Sequence, residues 1–358
     1  MIKLSNTSRV KDFGGDFKET TRAFFQNFPI LKIMKNTFAI SILILLTYVP
    51  LKMGGDASMN DAEYGLPSKK GEVAWVNSIY DSMTEDERLG QLIVVRAYSN
   101  KDESHARTID NLIEKYHVGG MTFFQGTPEK QAELTNRYQK LATKVPLMVS
   151  IDAEWGLGMR MKETTMSFPR QLTLGAIQDN RLLYEFGAEM ARQCRRIGVH
   201  VNFAPVVDVN NNPNNPVIND RSFGEDRYNV AAKSYMYMKG MQDNLLMACA
   251  KHFPGHGDTD VDSHYDLPII NHNLARLDSI ELYPFKVLSQ HGVGSMMIAH
   301  LNIPAYDNRS KMPSSLSHKI VTDLLRDDLG YRGLIFTDGL EMAGARKPIK
   351  EAKSKHRL

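Results

Sequence analysis

The chain has 358 residues, and its 44 Lys and Arg against 41 Asp and Glu leave a formal net charge of only +3. That balance, with no basic stripe interleaved with aromatics, argues against a nucleic-acid partner. The length suits one large domain rather than a tandem array, and the sequence shows no repeat, phosphate-binding glycine loop or low-complexity block.

In chain order, the first feature is an apolar run at 38–51, preceded by Lys32 and Lys35. It is short for a membrane span and reads as a signal-peptide core, with an uncleaved membrane anchor as the alternative. On that reading Met34 is the natural start, residues 1–33 lie upstream of it, and cleavage falls near 54–58. No cysteine follows that could carry a lipid. The remainder is then exported, to a periplasm or to the outside of the cell.

Strand-like apolar runs recur at 92–96, 120–124, 147–152, 200–208, 246–252, 294–300 and 334–338. Helical stretches such as 180–197 and 319–329 separate them, and this alternation predicts an α/β fold with a parallel sheet. Asp152, Asp208, His252, His300 and Asp338 fall at the carboxyl ends of these runs. A (β/α)8 barrel of TIM type collects its chemistry there, although an open doubly wound sheet would do the same. Cys194 falls in a predicted helix and Cys249 in a strand, so both read as buried thiols, while export would permit a disulfide. The 19 methionines read as core filler.

The densest chemistry lies in Lys251-His252-Phe253-Pro254-Gly255-His256-Gly257-Asp258-Thr259-Asp260-Val261-Asp262-Ser263-His264. A buried strand running into such a segment marks a functional rim, since loops carry chemistry that the scaffold holds in place. His252 and His256 at i and i+4 would suit a metal if they shared a helix. Pro254 and Gly255 between them argue against a helix, and neither a metal nor a cofactor is expected. Asp262 and His264 point the same way in an extended segment. The carboxylate could then orient the imidazole and raise its basicity, which suits a proton shuttle. Asp338 ends the last strand-like run, either as a carboxylate aimed from a rigid element or as the cap of a following helix.

Taken together these segments resemble glycoside hydrolase family 3, in its β-N-acetylglucosaminidase branch. The resemblance spans 73–340 and rests on six anchors in order: 83–92, Ser150-Ile151-Asp152-Ala153-Glu154, 202–209, Arg221-Ser222-Phe223-Gly224-Glu225-Asp226, the 251–264 segment with Asp266-Leu267-Pro268, and 333–338. It implies a (β/α)8 barrel and a retaining exo-glycosidase that releases terminal N-acetylglucosamine from peptidoglycan or chitin-type fragments. Asp338 would be the nucleophile, and His264 with Asp262 the acid/base dyad on a mobile loop. Asp152, Arg160, Arg221, Lys251 and His252 would bind the sugar. A carbohydrate is the only partner implied, apart from a membrane reached through 38–51. A β-glucosidase, a glycoside phosphorylase using the same histidine, and a non-catalytic remnant stay open. One departure stands beside the binding Asp: the family usually continues Glu-Gly-Gly, whereas this chain reads Glu154-Trp155-Gly156. Trp155 could offer a stacking platform or narrow the site.

The resemblance also sets an expectation for the end of the chain. After Asp338 the family continues through an eighth strand and helix, whereas 345–358 reads as a basic, disordered tail with no apolar strand. Residues 1–57 would be the upstream extension with its leader, and 58–344 a barrel domain lacking its eighth unit. Strands one and seven would then be open edges.

Overall fold

A computed structural model of the protein describes residues 69–348, with side chains from 73 onward. The segment 38–51, the expected cleavage region and the last part of the basic tail lie outside the described residues.

Seven parallel strands pair in simple chain order and curl into a partial (β/α) barrel of TIM type. They are β1 (Val94–Ala97), β2 (Gly120–Phe123), β3 (Met148–Ile151), β4 (Val201–Asn202), β5 (Met247–Phe253), β6 (Ser295–Ile298) and β7 (Leu334–Thr337). Helices cross between them, among them α1 (Glu103–Tyr116), α2 (Pro128–Leu141), α3 (Arg181–Arg196) and α4 (Arg227–Asp243). Each starts where the sequence offers a turn or cap: Asp102, Thr127 and Asp226 accept backbone N–H bonds at the starts of α1, α2 and α4.

The central strands read as mostly apolar runs because both faces are covered. Met121, Phe123, Val149, Ile151, Ala248, Ala250, Met296 and Ile298 belong to the main core, which includes Leu134, Met190 and Tyr237 from the helices. The alternate residues Val201, Phe203, Cys249 and Met297 form a second, smaller cluster with Phe336. This is the period of two expected of a strand, and it sorts one set of side chains toward the helices and the other into the barrel. The rings of Phe203 and Phe336 meet edge to face at 5.1 Å across that interior. Both cysteines are buried free thiols, and burial pushes each up to about 12.

Three sequence expectations need correction. The run at 200–208 forms only the two-residue β4, because Pro205 has no N–H to offer a ladder. It nevertheless stays beside β5, with the Cys249 N–H donating to the Ala204 carbonyl and the Val207 N–H to that of Lys251. The helix expected at 319–329 is π-helical over Lys319–Asp328. The basic tail does not begin at 345: residues 343–348 are helical, and Ala343 and Ala345 are buried. The backbone N–H groups of Ala343 and Gly344 donate to the carbonyls of His264 and Ser263, which docks this turn on the histidine loop.

Among the described residues β1 pairs only with β2, and β7 only with β6. Leu334 of β7 is exposed at 46%, and Leu92, two residues before β1, at 79%. At the mouth the two ends meet through an Arg96–Glu341 ion pair.

Candidate active site

Asp152 directly follows β3, and two cations grip its carboxylate. Lys251 Nζ lies 2.8 Å from Oδ1 and Arg160 Nη2 lies 2.6 Å from Oδ2. Two residues on, the fully buried Glu154 takes Lys251 Nζ at 2.8 Å and a two-pronged contact from Arg221 at 2.7 and 2.9 Å. Lys251 thus bridges two carboxylates that are themselves bound to arginines. Burial alone would raise both acids, but the adjacent cations outweigh it: Lys251 and Arg160 hold Asp152 below its ordinary range, and Arg221 and Lys251 hold Glu154 far below. These buried charges are costly to desolvate and stay ionised because each has a partner. Three cations against two carboxylates leave an excess of hydrogen-bond donors in the cluster.

Asp208, beyond β4, is a buried acceptor hub. Its carboxylate receives the backbone N–H of His252 at 3.2 Å, the backbone N–H of His256 at 2.7 Å and the His252 ring Nδ1 at 2.7 Å. With Nδ1–H committed to Asp208, His252 Nε2 is free to accept from Arg221 Nη2 at 3.4 Å. Burial would raise Asp208, and the facing His252 ring more than offsets it. The Lys251–His252 peptide is cis, and both side chains line the cavity.

The histidine loop follows. His264 Nδ1 lies 2.7 Å from Asp262 Oδ1, and the His264 backbone N–H donates to the same oxygen at 2.8 Å. The expected contact is present, but its geometry is a turn closed by Tyr265 N–H to the Asp262 carbonyl rather than an extended strand. The His264 side chain is 61% exposed, while Asp262 behind it is shielded. Opposite, Asp338 follows β7. Its backbone N–H donates to the Ile298 carbonyl and its Oδ1 accepts the Gly339 N–H at 2.8 Å.

Asp152, Arg221, Lys251, His252, His264 and Asp338 all line one cavity of about 930 Å³. Its floor includes Phe203, Met297 and Phe336 from the smaller core cluster. Two residues singled out in the sequence stand just behind this wall: Asp262 holds His264, and Arg160 holds Asp152 while lying over the Phe124 ring. Trp155 is not among the lining residues; Arg170 lies over its ring at 4.5 Å, so it offers no platform to the cavity.

Sequence reasoning passed over Glu154 and the hub role of Asp208. Glu154 had a signal, an acid at i+2 from Asp152 at a strand end, where both point to one side. A further cluster, Asp258, His272 and Glu281, brings metal-type donor atoms together. Arg276 occupies it, donating to Asp258 at 3.1 Å and Glu281 at 3.0 Å, and it anchors the base of the loop.

Residues 84–357 match the glycosyl hydrolase family 3 N-terminal domain, and the chain belongs to that family. It is 36% identical over 257 residues to the beta-hexosaminidase A of Pseudoalteromonas piscicida, covering 66% of this chain and 43% of that protein. It is 34% identical over 238 residues to a beta-hexosaminidase of Nitrosomonas eutropha, covering 64% of this chain and 67% of the relative. Among solved structures it is similar to the family 3 beta-N-acetylglucosaminidase of Paenibacillus sp. str. FPU-7, with a TM-score of 0.70 and 37% identity over 74% of this chain and 51% of that one. The chain thus spans about half the length of the Pseudoalteromonas and Paenibacillus proteins.

Proposed function

We propose that this site is that of a retaining exo-β-N-acetylglucosaminidase acting on peptidoglycan or chitin-type fragments. The observation that carries the reading is that Asp338 and the Asp262-backed His264 line one cavity with the charged cradle around Asp152. The names of the relatives support the sugar class.

In the first step the Asp338 carboxylate attacks the anomeric carbon and forms a glycosyl ester. The bond to the leaving oxygen breaks, and that oxygen takes the Nε2 proton of protonated His264. Asp262 keeps the ring oriented by accepting from Nδ1–H. In the second step neutral His264 takes a proton from water as the water attacks the same carbon, and Asp338 is released. Asp152 can accept sugar hydroxyls while Arg221, Lys251 and the His252 ring fix its wall. A histidine acid/base adds no further anion beside the ester, so phosphate could replace water as acceptor.

The test is turnover of nitrophenyl β-N-acetylglucosaminide by the full chain, beside the glucoside, with and without phosphate. The expected result is release from the acetylated sugar, reduced about 10³-fold or more in Asp338→Asn. Equal turnover by that variant would sink the nucleophile assignment. A strict need for phosphate would replace hydrolysis by phosphorolysis.

A further inference from the structure

His256 has no part in the steps above, yet it lies buried in the cavity wall between the strand and the histidine loop. Its backbone N–H is fixed on Asp208. Its ring Nδ1 lies 2.9 Å from Thr259 Oγ1, and its Nε2 lies 3.2 Å from Ser263 Oγ. The tautomer follows from the partners. Thr259 Oγ1 donates to the His256 carbonyl at 3.2 Å and receives Asn215 Nδ2 at 3.2 Å, so it also accepts from the imidazole. Nδ1 therefore carries the proton, and the bare Nε2 accepts the Ser263 hydroxyl. Burial pushes His256 down to about 4, so the ring is neutral in ordinary buffers.

Ser263 is the residue between Asp262 and His264, and its side chain is buried while His264 is exposed. On a turn this places Ser263 as the inward anchor of the segment that presents the dyad outward. We propose that His256 is a positioning residue for the dyad: through the Ser263 hydroxyl it pins the 262–264 turn to the Asp208 hub and so sets where His264 points. This rests on the reading of His264 as acid/base, but the pinning itself can be measured without turnover.

The experiment uses the full chain with Ser263→Ala, His256→Asn and His256→Gln. Asn keeps a donor for Thr259 but falls short of Ser263, whereas Gln places an acceptor near the Nε2 position. Amide hydrogen exchange across 260–266 should speed up about tenfold or more in Ser263→Ala and His256→Asn, return toward the parent in His256→Gln, and leave β2, β3 and β5 protected. Unchanged loop exchange in the first two variants overturns the proposal whether or not the protein turns over sugar, and so does exchange that rises equally in the strands. Activity supplies the second arm. Loss of acid positioning should cut kcat/KM about ten- to hundredfold on aryl glycosides with poor leaving groups. It should spare kcat/KM for the dinitrophenyl glycoside, whose departure needs no proton, although kcat falls on both because His264 is also the base of the second step. Equal loss of kcat/KM on both substrates overturns a positioning role. If His264→Ala itself shows no leaving-group dependence, the acid/base reading fails while the exchange result still decides the pinning.

Discussion

His256 links the site to stability through its proton. An unfolded histidine binds a proton near 6.5, whereas the buried ring binds one only near 4. Between those values the unfolded chain holds more protons, so stability rises with pH. The contribution is fully present above about pH 6.5 and is lost as pH falls toward 4, by up to about 3 kcal/mol. Burial also lowers His200 and His300, which act with the same sign. Asp152, Glu154 and Asp208 are depressed carboxylates, so their share is lost only at lower pH, below the range of an unfolded acid. Urea unfolding at pH 7 and pH 5 should show the drop, and His256→Gln should flatten it. An equal pH slope in that variant would assign the effect elsewhere.

At the scale of the loop, the glycines of the Pro-Gly-His-Gly run have a steric reason. Gly255 has a φ of 128°, in the region that favours glycine, and a Cβ there would lie 2.8 Å from that of Glu281. At Gly257 an added Cβ would lie 1.8 Å from the Val209 carbonyl oxygen, a backbone atom that cannot step aside. Gly257→Ala should therefore cost about 2–4 kcal/mol, read as a lower melting temperature with the loop displaced; an unshifted melt would show that the segment around Val209 can yield. Local patterning explains why the strands and this motif were legible in the sequence: apolar runs, Gly and Pro, and titratable groups at strand ends are all short-range signals. The Glu154–Arg221–Lys251 knot was not legible, because its members come from three segments far apart in the chain. Nor was the shortening of β4, where Pro205 interrupts the ladder inside an otherwise apolar run. The docked turn at 343–348 was missed for a different reason. Its burial comes from contact with the Ser263–His264 backbone rather than from any apolar periodicity.

At the scale of the whole described unit, the sheet is best buried in its middle and least at β1 and β7. An unpaired edge such as that of β7, with Leu334 exposed, can pair with another such edge. The expected outcome is association that grows with protein concentration, seen by light scattering. Leu334→Lys should weaken it, and because Leu334 also lines the cavity this variant is read by scattering rather than by turnover; scattering that ignores both concentration and this substitution would clear the edges of blame.

The Asp208 carboxylate serves the His252 ring, the backbone of His252 and the backbone of His256 at once. The proposed sugar-binding wall and the anchor of the proposed proton-transfer turn therefore share a single point of suspension. On that proposal affinity and turnover are mechanically geared together there, so a chain under selection could not retune one by changing this residue without disturbing the other. Asp208 should accordingly be among the least substitutable positions of the barrel, although it is buried and takes no part in the bond-making steps.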